Sequence, residues 1–202
     1  MNDAKTSGKL PAEPLTPDEV ASLMDACGRR SPTGRRNRAL IALLYRSGLR
    51  VSEALALRPG DVDLDAGSVR VLNGKGAKAR TAWLLDGAHD HIELWLAARK
   101  AKGINGHAPL FCTLAGGAVL PSYVRAMFKR LSGRADQPKR VHAHGLRHSH
   151  AVLLAMNGVP MHAIQDQLGH SHLSTTQTYV SHLAATDVRD AVRAVSRRMA
   201  DA

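Results

Sequence analysis

Apolar residues along this chain fall in helical spacing, then in alternation, then in helical spacing again. Thr16-Pro17-Asp18-Glu19 has the form of a helix start, with threonine as cap, proline at the first helical position and glutamate closing a capping box. A helix is expected from there to about Ala26. Residues 1–14 carry glycine, lysine and two prolines with no apolar period, and read as a flexible lead-in. Ser31 to Arg36 reads as a basic turn. Asn37 to Ser47 is strongly apolar and helical, with Gly48 as its C-terminal cap. A short helix is expected over Val51 to Leu57.

The period then changes. Asp61 to Asp65, Ser68 to Leu72 and Thr81 to Leu85 alternate or carry β-branched residues, as half-buried strands do. Asn73-Gly74 and Lys75-Gly76 mark a turn between the last two, giving a hairpin with a basic tip. Helices return at about 87–101, 121–132, 145–157, 160–168, 173–182 and 186–199. The expected fold class is mainly α with one small three-stranded antiparallel sheet, in a single domain over residues 15–202.

Composition narrows the partners. The chain has 202 residues, 44% of them hydrophobic, enough for a core without disulfide or metal staples. Its 28 Lys and Arg against 17 Asp and Glu leave a net charge of +11, and a domain this basic expects a polyanion, although a solvated basic surface is the plainer alternative. Only 3% of residues are aromatic, too few for the stacking platforms of single-strand binders, so contact with a duplex backbone is the better expectation. Cys27 and Cys112 stand far apart in no metal or redox spacing, which suits a reducing cytoplasm. The polar N-terminus has no apolar signal core, and the run Ala39 to Tyr45 is far too short to cross a bilayer, so no membrane is expected.

Four segments carry candidate chemistry. In Ser47-Gly48-Leu49-Arg50-Val51-Ser52-Glu53 an apolar helix stops and another starts, placing Arg50 at the break with Glu53 one turn on to orient it. A surface ion pair is the plainer reading of that segment alone. Asn73 to Arg80 places Lys75 between two glycines, where it can approach a phosphate closely, though lysine and glycine are also ordinary turn residues. In His142-Ala-His144-Gly-Leu-Arg147-His148-Ser-His150, His144 and Arg147 share a helical face, a pairing suited to a phosphate. His144 and His148 also have the spacing of a zinc pair, but no H-E-x-x-H accompanies them and the Arg147 charge disfavours a second cation. Finally Leu168-Gly169-His170 precedes Tyr179, the one tyrosine near a histidine-rich site in sequence; a half-buried tyrosine with a satisfied hydroxyl is its plainer reading.

In chain order these read Arg50, Lys75, His144-x-x-Arg147, His170, Tyr179. With SGLRVSEALAL, NGKGAKAR, HGLRHSHA and LGHSHLSTTQTY, the sequence resembles the tyrosine recombinase (phage integrase) family, in particular its Xer-like catalytic domains, over about residues 15–200. The resemblance implies the DNA breaking-rejoining catalytic fold and roles position by position. Arg50 and Arg147 would clamp the scissile phosphate, and Glu53 would support the first of them. Lys75 would be the general acid for the leaving 5′-oxygen. His144 would assist proton transfer and bind phosphate, His170 would hydrogen-bond the phosphate, and Tyr179 would attack it to leave a 3′-phosphotyrosyl link. Arg35, Arg36, Lys78, Arg80, Lys139 and Arg140 are expected on DNA. No cofactor is implied: the covalent link conserves the bond energy without ATP, and two arginines stand where a metal would act.

The implied partners are double-stranded DNA, further copies of the chain as a tetramer on paired sites, and accessory DNA-binding proteins, in a cytoplasmic, nucleoid-associated setting. Val188, Ala191, Val192, Val195 and Met199 form an apolar stripe on the last expected helix, which in the family docks on a neighbouring protomer; packing in cis is the alternative. Two other functions compete, a type IB topoisomerase and a DNA-binding relative that does not cut. The docking stripe argues against the first and the intact residue set against the second. Most family members carry an N-terminal DNA-gripping domain; Met1 favours a naturally short member here over a fragment.

Overall fold

The computed structural model describes residues 13–72, 79–136, 139 and 141–169. Helix α1 (Pro17–Asp25) opens as expected: Thr16 Oγ1 accepts from Glu19 N at 3.2 Å while Glu19 Oε2 accepts from Thr16 N at 2.7 Å. Helix α2 (Pro32–Ser47) begins five residues earlier than expected, so Ser31 to Arg36 is not a basic turn. Ser31 caps it by accepting from Gly34 N, and Pro32 opens it. Those two residues were the missed start signal.

Ala39 to Tyr45 is buried on every face, because α2 runs through the middle of the domain. It packs against α4 (His89–Ala101) on one side and α6 (Ala143–Met156) on the other. Between α2 and α4 in sequence come α3 (Val51–Ala56), a 3-10 turn at Pro59–Asp61 and the sheet. Strands β1 (Val62–Asp63), β2 (Ser68–Val71) and β3 (Arg80–Trp83) pair antiparallel in that order, with Val69 opposite Ala82 and Val71 opposite Arg80. That is the expected sheet with shorter strands. Helix α5 (Pro121–Arg134) covers α1, α3 and α6, and α7 (Met161–Leu168) closes on α6 and β3. Among the described residues no helix is long and apolar enough to cross a membrane.

Candidate active site

Two helix ends meet to make the site. Helix α2 stops at Gly48 (φ +66°) and α7 stops at Gly169 (φ +65°), both left-handed caps that glycine adopts without strain. The two caps lie close together: a Cβ on Gly48 would fall 2.6 Å from a Leu168 methyl and 2.6 Å from the His150 ring. Each helix end presents carbonyls and a negative dipole. Arg147 of α6 fills the space between them. Its Nη1 donates to Gly48 O at 2.6 Å and its Nη2 to Leu168 O at 2.7 Å, and the residue is only 1% exposed.

Arg50 leaves the α2 cap at once and serves as the N-cap residue of α3. Its backbone N–H donates to Glu53 Oε2 and its Nη1 to Glu53 Oε1, each at 2.8 Å, and its Nη2 reaches Gly169 O at 3.3 Å. Glu53 is nearly enclosed, with 3% of its side chain exposed, against 31% for Arg50. Burial alone would raise the Glu53 carboxyl, but hydrogen bonds and charge from Arg80 and Arg50 prevail and hold it below the usual carboxylate range. So the structure places Glu53 against Arg50.

His144 opens α6 on its exposed side. Partial burial of the ring, then the charges of Arg147, His142 and Arg50, push its pKa below the ordinary histidine range, so it is neutral at pH 7. Those causes also bring Arg50, His144 and Arg147 into one electrostatic neighbourhood. The zinc alternative weakens here, because His148 is 4% exposed while His144 faces solvent beside two guanidinium groups. Lys75, Lys78, Arg140, His170 and Tyr179 lie outside the described residues.

Three of the cations expected on DNA are engaged by groups of the protein itself. Arg36 is 4% exposed: it donates to Cys112 O at 3.1 Å, to Asn37 Oδ1 and to the Tyr123 hydroxyl, and its guanidinium lies 4.7 Å from the Tyr123 ring centroid. It joins the start of α2 to α5. Lys139 donates to Glu13 and Glu19 at 2.8 and 3.1 Å and to Pro14 O, which ties the entering chain to α1. Arg80 is bound to Glu53. Sequence reading counted these as free cations because it cannot see which charge has a carboxylate, carbonyl or hydroxyl folded against it. Arg35 is half-buried on α2.

Gln167 was missed altogether. Its amide exchanges both hydrogen bonds with the Trp83 backbone, accepting at 2.9 Å and donating at 2.7 Å, and donates to Ser47 O at 3.0 Å. It thereby fastens α7 to β3 and to the end of α2. Its place two residues before the terminal glycine was the one local hint. His150 is structural, fully buried with Nδ1 2.9 Å from Tyr45 O, and burial pushes its pKa down to about 4.

The phage integrase family matches residues 13–186. This chain belongs to that family. Among similar curated members, the tyrosine recombinase XerC of Halalkalibacterium halodurans is 39% identical over 191 residues, 92% of this chain and 62% of its own length. XerC of Rhodospirillum centenum is 40% identical over 178 residues, 87% of this chain and 51% of its own length. The chain therefore spans about half to three-fifths of these relatives. A crystal structure of XerA recombinase superposes with a TM-score of 0.76 at 30% identity, covering 88% of this chain and 63% of that one. The XerH recombinase bound to palindromic difH substrate, a post-cleavage complex, superposes at 0.74 with 29% identity over 94% of this chain and 55% of that one. The fold is thus the tyrosine recombinase catalytic-domain fold of the family.

Proposed function

We propose that this phage integrase family chain carries the catalytic domain of a site-specific DNA recombinase, which cuts and rejoins strands through a covalent link to Tyr179. The observation that carries the reading is the meeting of Arg50 and Arg147 at the end of α7, with His144 one helical turn before Arg147 on α6; in sequence α7 is followed by His170 and, nine residues on, Tyr179. XerH, of the same fold, is bound to its difH substrate in a post-cleavage complex.

The chemistry follows from the groups present. A phosphodiester under attack gains charge on its non-bridging oxygens, and Arg50 and Arg147 act where that charge develops. Arg147 is pre-aimed by two carbonyls and Arg50 by Glu53, so little reorganisation is needed. The Tyr179 oxygen forms a bond to phosphorus as the bond from phosphorus to the 5′-oxygen breaks. Lys75 protonates the leaving 5′-oxygen. A tyrosine, with an ordinary pKa near 10, needs cationic neighbours or a base, and His144, held neutral, can take its proton. His170 hydrogen-bonds the phosphate. Attack by a new 5′-hydroxyl reverses the step, so neither ATP nor a metal enters.

Double-stranded DNA is the proposed substrate, on the net charge of +11 and the likeness to XerH. The stripe from Val188 to Met199 would join copies into a tetramer on paired sites, with accessory DNA-binding proteins, at the nucleoid in the cytoplasm. The test is incubation with nicked suicide duplexes in EDTA, scored for a covalent protein–DNA complex. Complex is expected from the unsubstituted protein and none from Tyr179→Phe. Equal complex from Tyr179→Phe, or a requirement for added Mg²⁺, would overturn the mechanism.

A further inference from the structure

Glu53 has a second cation. Arg80, at the start of β3, forks across both its oxygens, Nη1 to Oε1 and Nη2 to Oε2, each at 3.0 Å. Only 14% of the Arg80 side chain is exposed, and its Nε points at Gln167 O at 3.5 Å. Three successive carbonyls at the end of α7 therefore each meet one arginine: Gln167 O meets Arg80, Leu168 O meets Arg147 and Gly169 O meets Arg50. Gly169 fits the same contact. A Cβ there would fall 2.7, 2.8 and 2.9 Å from Nε, Cζ and Cδ of Arg80, so any larger residue would push the Arg80 side chain from its present position.

We propose that Arg80 is a positioning residue of the phosphate site, fixing the Glu53 carboxylate so that Arg50 stays aimed at the substrate. The inference rests on the recombinase reading above. The lone pairs of one carboxylate are shared between two arginines. Because Arg80 occupies the bidentate face, Arg50 is limited to one side-chain N–H on Glu53, and its Nη2 stays on Gly169 O with the side chain 31% exposed. Without Arg80, Arg50 is the sole cation on a buried carboxylate and folds down onto both oxygens, away from Gly169 O and from any incoming phosphate. A residue that merely fastened the sheet to α7 would affect stability and nothing that depends on substrate charge.

Substrate charge therefore supplies the test. A nicked suicide duplex is first recovered from a pool with randomised arms by covalent capture on the unsubstituted protein. It is then made with the scissile group either as phosphodiester or as methylphosphonate, which lacks the negative charge the arginines meet. Arg80→Met is expected to slow covalent-complex formation by about 10–100-fold on the phosphodiester, the scale of a misaimed group, and by less than about threefold on the methylphosphonate. Arg80→Lys keeps a charge but cannot fork, and is expected to fall between; it carries the same comparison if Arg80→Met does not fold. Equal losses on both substrates, or wild-type rates from Arg80→Met, overturn the assignment while leaving the function intact. No covalent complex from the unsubstituted protein overturns the functional reading, and this inference with it.

Discussion

Replacing Gly48 with alanine probes the joint on which the whole site hangs. The backbone there has φ +66° and ψ 19°, where an L-residue is less stable than glycine by roughly 1–2 kcal/mol. The added methyl also meets matter, with a Leu168 methyl and the His150 ring each 2.6 Å from its position. Neither neighbour has room to yield. Both are fully buried, and His150 is held by Tyr45 O. Overpacking of this kind costs roughly 1–3 kcal/mol. The two effects together come to roughly 2–5 kcal/mol, a large part of the 5–15 kcal/mol that holds such a domain folded. For a chain of this length that is a fall in Tm of roughly 4–20 °C. Urea denaturation with an unchanged m-value is the assay, and Gly60→Ala, where the added methyl meets nothing within 4 Å, is the control. A Gly48→Ala unfolding free energy within about 0.5 kcal/mol of the unsubstituted protein's would refute the reasoning.

Two further outcomes follow from buried cations and histidines. Arg36→Met should lower stability by roughly 1–3 kcal/mol, from lost and orphaned hydrogen bonds, yet leave affinity for duplex DNA within about twofold; a large loss of affinity in folded protein would restore Arg36 to the DNA surface. His150 is neutral when folded, with a pKa near 4 against 6.5 unfolded, so the unfolded chain binds the extra proton as the pH falls. Stability should decline between pH 6.5 and about 4 by roughly 3 kcal/mol on its account and level off below. His150→Gln should flatten that limb, and an unchanged pH profile in the variant would place the titration elsewhere.

The sequence by itself determined most of the described elements and named the proposed chemical cast. Thr16 with Glu19, Gly48 and Gly169 are local signals, readable because capping needs particular residues at particular offsets. The order Arg50, Lys75, His144, Arg147, His170, Tyr179 was legible for the same reason, as residue types in fixed succession. The start of α2 was missed because a basic face hid an ordinary Ser-Pro opening. Only the tertiary structure decided which charges are already spent. Arg36 bonds to Cys112 across 76 residues, Arg147 to Gly48 across 99 and Gln167 to Ser47 across 120. Arg80 and Lys139 look in sequence like any exposed cation, yet each is folded against a carboxylate. A hydrogen bond depends on where two groups end up in space, and for groups brought together by packing no short window of sequence contains both.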